Sequence, residues 1–366
     1  MDLSPEDTLR LNVLLANRPR AIRINESRMT VQGLGQDGES QVKLNPNCRD
    51  EQYVKRVKEL LSGHVLGSPG GYPVYLQRWT RMGQMRDDNL DQLLLLGEPE
   101  AVVAVVCAPG LSDELARRAW WAMEDAENAR RMLARDSVVR GTMGPELASY
   151  LVEHLPFEVE PEQMMDTVAL VLQPGLLDDD ARRELWKKAA RKNAYYVGFL
   201  ATAPDELPTD VPPNPLLGEL GGVADEDGLA RLYRKVLSAR GQAFLATVQL
   251  VFRKPSNQEV VTRTLGVMAR YFSAARPEGP PDANLAELEA DADKWLAELR
   301  GVVGELAAGR PVVAAHLRAM RVLSGLSYGA VRPALRDTTA IGTLMRRKLE
   351  PVLGPLLDYV GDLTRA

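Results

Sequence analysis

The segment best suited to contact a ligand is rich in glycine and is followed by arginines and a tryptophan. Its candidate binding residues are Gly67, Ser68, Gly70, Gly71, Tyr72, Arg78, Trp79 and Arg81. Backbone N–H groups of such a loop can surround an anion, and an aromatic ring beside arginine can stack on a base. The segment lacks the Gly-Lys-Ser/Thr ending of a P-loop, so an anion, a nucleotide and single-stranded RNA all stay open as ligands. An irregular connector without binding function explains the same composition equally well.

Two pairs of arginines occupy equivalent positions in a duplicated sequence and are the second candidate group. They are Arg117, Arg118, Arg182 and Arg183. Guanidinium groups on matching helix faces suit an acidic partner or phosphates. The alternative is structural, and we favour it: the arginines pair with neighbouring acids or lay their stems over Trp121 and Trp186.

Three other patterns match known motifs but lack the required context. The GxGxxG string at 33–38 precedes a strand and not a helix, which predicts a hairpin turn. The GxSxG string at 325–329 has no histidine after its serine, so we interpret it as small residues that allow close helix packing or a kink. Asp178–Asp180 begins a predicted helix and is expected to cap it.

The histidines and cysteines predict no catalytic residue, metal site or cofactor. His64, His154 and His316 stand outside any metal-ligand spacing, and surface or helix-end positions are expected for them. Cys48 and Cys107 form no CxxC pair and fit a reducing cytoplasm.

Composition favours a helical protein. Of the 366 residues, 45% are hydrophobic and 26% charged, but only three are isoleucine, so leucine, valine, alanine and methionine must fill the core. The net charge of the chain is −5, and neither of its two predicted parts has the basic excess of a DNA-binding protein. We expect no signal peptide and no membrane insertion, because the start is acidic and no apolar run is long enough.

The order of elements predicts a mainly α fold in two parts. A β-meander is expected at 20–45, where Ile22 and Ile24 alternate with polar residues, and a helical array at 50–202. The first domain therefore spans 1–205, and a Pro/Gly linker follows at 206–222. A C-terminal bundle of about five longer helices, the last two mildly basic, fills 223–366.

An internal repeat lies within the array. The sequence from Pro109 to Trp121 recurs from Pro174 to Trp186, an offset of 65 residues, with matches on both sides. Each copy predicts a helix, a Pro-Gly-Leu corner, an Asp-capped helix and another helix. Stacked units of this kind form a continuous core, so we expect a solenoid-like array.

Several blocks together resemble one family. His64–Tyr75, Arg78–Met85 and Ala116–Met123 are similar to the DsrS family, which is associated with the dissimilatory sulfite reductase (Dsr) gene cluster of sulfur-oxidising bacteria. The resemblance covers most of residues 1–205. It implies a cytoplasmic accessory or regulatory protein of sulfur oxidation, without catalytic residues to carry over.

The sequence thus leads to two functional hypotheses. The first is a non-catalytic protein that binds a protein partner of the Dsr system and supports its expression, maturation or assembly. The alternative is a binder of an anion, a nucleotide or RNA that acts through the Gly67–Arg81 segment. An unrecognised enzyme ranks last.

Overall fold

The computed structural model describes residues 2–67, 90–220, 228–300, 302–335 and 342–365. In these ranges the chain forms nineteen α-helices and one three-stranded antiparallel sheet, which confirms the predicted mainly α fold with a small β-meander. The chain divides into two compact units, residues 1–154 with 174–176 and residues 155–173 with 177–366.

The first unit begins with a helix and the sheet, followed by short helices. In chain order its elements are α1 (Pro5–Ala16), β1 (Ala21–Asn25), β2 (Thr30–Leu34), β3 (Glu39–Lys43), α2 (Asp50–Leu66), α3 (Leu90–Leu93), α4 (Pro99–Cys107), α5 (Asp113–Ala122), α6 (Ala126–Leu133), α7 (Asp136–Val139) and α8 (Met143–His154).

The meander follows directly from the alternating pattern. Ile24 pairs with Val31, and Val31 pairs with Val42, so three β-branched side chains share one face of the sheet. The GxGxxG string forms the β2–β3 turn, where Gly38 has a φ of 144°, which a residue with a Cβ rarely adopts. The predicted hairpin is confirmed.

The second unit contains the remaining helices. They are α9 (Pro161–Val171), α10 (Asp179–Ala189), α11 (Ala194–Thr202), α12 (Gly228–Leu237), α13 (Ala239–Arg253), α14 (Gln258–Tyr271), α15 (Leu285–Glu298), α16 (Val302–Gly309), α17 (Pro311–Ser324), α18 (Tyr328–Leu335) and α19 (Gly342–Asp362). Short 3₁₀ turns lie at 155–157, 215–220 and 273–275.

The C-terminal region has eight helices in its described residues, more than the five that we predicted. Ser238 divides residues 226–252, where the sequence predicts one continuous helix, because its Oγ accepts a hydrogen bond from Gly241 N at 3.2 Å and so caps α13. Gly325 ends α17 within the GxSxG string, and Ser327 Oγ donates to the carbonyl of Pro281 at 3.1 Å. Local capping therefore outweighs the continuous apolar pattern.

One histidine departs from expectation. His316 is fully buried in the middle of α17, and its Nδ1 lies 3.0 Å from the hydroxyl of Tyr233. The expected surface or helix-end position was wrong for His316, because its apolar neighbours on α17 face the core and carry the ring with them.

Both copies of the internal repeat have the predicted order of helices, but the predicted Asp cap is present only in the second copy. Helices α4, α5 and α6 follow one another as α9, α10 and α11 do, and Asp178 Oδ1 caps α10 by accepting from Ala181 N at 2.7 Å. In the first copy Ser112 is the cap of α5. The copies lie largely in different compact units, so their stacking as a solenoid stays a prediction.

The compact units do not divide where the linker was predicted. Residues 206–220 lie within the second unit, and Asn214 is buried there with its Nδ2 donating to the carbonyl of Arg365 at 2.8 Å. The predicted domain boundary after Asp205 stays a prediction about independent folding. In the described part of the chain, no helix combines the length and the apolar character needed to cross a bilayer.

Candidate anion-binding site

The predicted glycine-rich segment falls almost entirely outside the described residues. Gly67 closes α2 with a φ of 65°, a left-handed conformation that favours glycine. The other candidates of this segment lie outside the described part of the chain: Ser68, Gly70, Gly71, Tyr72, Arg78, Trp79 and Arg81. Their binding role stays a prediction.

The first arginine pair is bound to an acid of its own helix. Arg117 donates two hydrogen bonds to Glu114, at 2.8 and 2.9 Å, and Arg118 Nε donates to Glu114 Oε1 at 2.9 Å. Hydrogen bonding from Arg117, opposed by burial and reinforced by Arg118, lowers the pKa of Glu114 to about 2. One carboxylate thus offsets part of the charge of both arginines.

The second pair also faces acids. Arg182 Nη2 donates to the backbone carbonyl of Glu206 at 3.1 Å, and Arg183 Nη2 donates to Asp180 Oδ1 at 2.6 Å. A shallow cavity of about 410 Å³ beside them includes both arginines and three carboxylates in its lining. Such a mixture of charges gives little preference for an anion. The structure pairs these arginines with acids, as the structural alternative expected, and their binding role stays a prediction.

A different cavity in the second unit has the lining that an anion requires. We call it the basic cavity; its volume is about 650 Å³. Five of its lining residues are basic and none of the described ones is acidic: Arg191, Lys192, Arg253, Lys254 and Arg346. The rest of the lining consists of Pro161, Met164, Ala189, Ala190, Asn193, Ala194, Tyr196, Leu250 and Ser256.

Three elements bring these basic residues together. The first group, Arg191 and Lys192, follows the end of α10 at Ala189 and precedes α11, which begins at Ala194. The second group, Arg253 and Lys254, lies at the end of α13. Arg346 is in the first turns of α19, with its Nη2 donating to Thr343 Oγ1 at 3.0 Å. The second group follows the first by more than fifty residues, and Arg346 follows the second by about ninety.

The connection between α10 and α11 is held by hydrogen bonds to backbone carbonyls. Lys192 Nζ donates to the carbonyl of Pro156 at 3.1 Å, and Asn193 Nδ2 donates to the carbonyl of Lys254 at 2.7 Å. The ammonium of Lys192 also lies 6.0 Å from the centre of the Tyr195 ring. These contacts fix the backbone that carries two of the five cations.

Among the residues that the structure describes, the five cations have no acidic partner. Within the described residues, none of them lies within 4.0 Å of a carboxylate oxygen, whereas the predicted candidates Arg117, Arg118, Arg182 and Arg183 all do. Cations at the ends of α10 and α13 do stabilise those helices. A helix C-terminus carries only about half a negative charge, however, so two such ends offset about one unit charge. Arg346 gains nothing from this effect, because it lies near the N-terminal end of its helix.

The start of α11 adds positive partial charge to the cavity, although Tyr195 N already donates to the carbonyl of Lys192 at 3.0 Å. Asn193 and Ala194 line it, and the Asn193 side chain makes no capping hydrogen bond to the helix. The first N–H groups of a helix have no partner within the helix and favour negative charge. The partial charge of α11 therefore has the same sign as the five cations.

Apolar side chains form another part of the lining. Met164 is buried, Leu250 is 50% exposed, and Tyr196 is held edge-on against Trp186, with ring centres 4.8 Å apart. Burial raises the pKa of the Tyr196 hydroxyl, so it stays protonated at neutral pH. The cavity thus combines a surface for an apolar group with charges for an anionic one.

The sequence prediction named Arg182 and Arg183 near the N-terminal end of α10, whereas the basic cavity lies at the C-terminal end of this helix. The available signal was the run Lys187–Lys192, which has four basic residues in six and lies in a stretch without acids from Leu185 to Pro204. It is notable in a chain that has only ten lysines. What no local pattern shows is that Arg253, Lys254 and Arg346 meet this run in space.

Metal-binding and redox chemistry have no candidate residues in the described ranges. No group of three or more His, Cys, Asp or Glu side chains there is arranged to hold a metal ion. Cys48 is partly buried and Cys107 is exposed, and neither forms a disulfide.

Comparison with known proteins adds no family. No family model, no curated protein and no solved structure matches the chain. The resemblance to the DsrS family therefore stays a prediction.

Proposed function

We propose that this protein binds a small anionic ligand in the basic cavity and does so without catalysing a reaction. The observation that supports the proposal is the lining: five cationic side chains without a described carboxylate, in a chain whose net charge is negative. Unpaired cations held together repel one another, and an anion relieves that repulsion. An anion or nucleotide was also the alternative that the sequence offered, although at a different segment.

Thermal unfolding of the full chain with tripolyphosphate, a simple polyanion, tests the proposal. A ligand present at about 100 times its Kd stabilises the native state by about 2.7 kcal/mol, which raises Tm by several degrees. The double variant Arg191→Ala with Arg253→Ala should remove most of this rise. Both side chains are exposed, so the variant should fold normally.

The matched control is the double variant Lys188→Ala with Arg347→Ala. Both side chains are exposed and basic, and both lie next to residues of the cavity without lining it. The control should keep the full rise in Tm. If tripolyphosphate does not raise Tm, or if both double variants lose the rise equally, the proposal fails.

The accessory role in sulfur oxidation is a separate proposal that rests on the resemblance alone. A protein partner within the Dsr system and a cytoplasmic location belong to it. Purification of the tagged chain from a sulfur-oxidising host, with and without the cavity variants, would show whether a partner of that system is bound.

A further inference from the structure

We infer that the ligand of the basic cavity is a nucleoside polyphosphate, with its phosphates on the cationic side chains and its base against the apolar part of the lining. The inference rests on the proposed function and adds the identity of the ligand class. Three properties of the cavity carry it: the number of charges, the apolar surface and the donors that remain.

The number of charges favours several phosphates over one anionic group. Five cations and a helix N-terminus converge on one cavity of about 650 Å³. A carboxylate or a single phosphate would leave most of this positive charge uncompensated. A diphosphate or triphosphate chain carries three or four negative charges and can contact several of these side chains at once.

The apolar surface requires that the ligand also has an uncharged body. Tyr196 and Leu250 line the same cavity beside the buried Met164, and an inorganic anion would leave the exposed part of Tyr196 and Leu250 in contact with water. A planar base suits an aromatic ring and a thioether, which both offer polarisable surfaces. Three alanines in the lining, at positions 189, 190 and 194, leave room for such a body.

The uncharged polar groups of the lining match the sugar between base and phosphates. Ser256 lines the cavity and is exposed, so its hydroxyl can donate to or accept from a ribose hydroxyl. Asn193 is less available, because its Nδ2 is already bound to the carbonyl of Lys254.

The cations of the protein supply the charge that usually comes from a magnesium ion. No described residue of the lining is a carboxylate that could hold such an ion, whereas five side chains can neutralise the phosphates directly. We therefore expect binding to persist when divalent cations are chelated. The phosphates are held without a described acidic side chain beside them that could activate water, so the nucleotide should be bound and not hydrolysed.

Calorimetric titration of the full chain in buffer with EDTA tests the inference. The ligands are ATP, ADP, AMP, adenosine and tripolyphosphate. ATP should bind at least tenfold more tightly than AMP, adenosine or tripolyphosphate, with ADP between ATP and AMP. Added magnesium should not tighten the binding of ATP.

Two variants separate the base from the phosphates. Leu250→Ser and Tyr196→Leu should weaken ATP binding about five- to tenfold while tripolyphosphate affinity stays unchanged. Leu250 is 50% exposed, so its replacement should not disturb folding even if that of Tyr196 does. Leu344→Ser, at a residue that is 57% exposed and outside the described lining, is the matched control and should leave both affinities unchanged.

Each outcome distinguishes this inference from the proposed function. If tripolyphosphate binds as tightly as ATP, or if Leu250→Ser weakens both equally, the nucleoside inference is overturned while anion binding stands. If AMP binds as tightly as ATP, or if a short oligoribonucleotide binds more tightly than ATP, the proposed ligand class is wrong. If tripolyphosphate does not bind, the proposed function fails as well, and the inference that rests on it falls too.

Discussion

The side chain of Asn193 donates from Nδ2 to the backbone carbonyl of Lys254 at 2.7 Å. This hydrogen bond joins the residue before α11 to the residue after α13, and basic residues of the cavity lie on both sides of it. This neutral contact, together with the packing of α11 against α13, holds two like-charged segments side by side. Four cations lie on the two segments that it joins.

Asn193→Ala should weaken anion binding although it removes no charge. We expect a loss of about 1 kcal/mol in the free energy of unfolding, the usual worth of one such hydrogen bond. Tripolyphosphate affinity should fall several-fold, because the hydrogen bond that fixes the spacing of the two basic segments is then lost. The control is Asn47→Ala, which removes a comparable Nδ2 hydrogen bond to the carbonyl of Asp2. It should leave tripolyphosphate affinity unchanged; equal losses in both variants would contradict the assigned role.

A cluster of buried guanidinium groups is the next feature that can be tested. The side chains of Arg276 and Arg321 are 4% and 8% exposed, and both contact Asp291. Burial opposes the ionisation of Asp291, but hydrogen bonds from Arg321 and Arg276 outweigh it and lower its pKa. Asp291→Asn should lower the free energy of unfolding by about 2 to 3 kcal/mol. Breaking a fully buried ion pair would lower it more, but the Asp291 side chain is 41% exposed.

The control for this prediction lies two residues away on α15. Asp293→Asn breaks a contact with Arg318, whose side chain is 29% exposed, and should cost less than about 1 kcal/mol. Chemical unfolding in urea measures both changes. A cost for Asp293→Asn equal to that for Asp291→Asn would show that burial of the arginines does not determine the effect.

His316 should make the stability of the protein depend on pH below neutrality. Burial lowers the pKa of His316, and contacts with the backbone at Asp362 and Arg365 only partly oppose this shift. The unfolded chain therefore binds a proton near pH 6.5, where the folded chain does not. The free energy of unfolding should fall as the pH decreases from 7.5 to 5, by up to about 1.4 kcal/mol for each pH unit.

Unfolding in urea at several pH values measures this dependence. His316→Gln should flatten the pH profile, whereas His64→Gln, at an exposed residue of α2, should not change it. The carboxylates with lowered pKa, such as Asp291 and Glu114, do not interfere. Their contribution is complete above the ordinary pKa of an acid, near 4, and is lost only below it. An unchanged profile in His316→Gln would contradict the prediction.

Local patterns predicted most of the fold. The three strands and the Asp178 cap depend on neighbours in sequence, and the structure has all of them. The break at Ser238 was not predicted, because an apolar pattern continues across it; there, a hydroxyl caps a new helix. The end of α17 at Gly325 agrees with the kink that the small residues of the GxSxG string allow.

The site was less predictable, for a physical reason. Arg117 and Arg182 attracted attention because they recur, but acids close by in sequence or in space pair with them. The residues of the basic cavity come from three separate stretches, and each stretch alone resembles an ordinary basic helix end. Only the packing of α10, α13 and α19 places Lys192, Lys254 and Arg346 around one volume.

The close approach of α9 and α11 gives a final prediction that combines packing with the site. A Cβ added at Gly198 would lie 2.5 Å from Cβ of Val168, so only glycine fits where these helices meet. Gly198→Ala should destabilise the protein by about 1 to 3 kcal/mol through this overlap, although alanine favours a helix by about 1 kcal/mol. Because α9 carries Met164 and α11 carries Tyr196, we also expect weaker ATP binding.

Gly266→Ala is the matched control. Gly266 lies inside α14, and a Cβ added there meets no atom within 4 Å. The same substitution should therefore stabilise the protein by up to about 1 kcal/mol and leave ligand affinity unchanged. Thermal and urea unfolding give the sign of each effect. If both glycines respond alike, helix propensity determines the result, and α9 and α11 are not as close as the structure indicates.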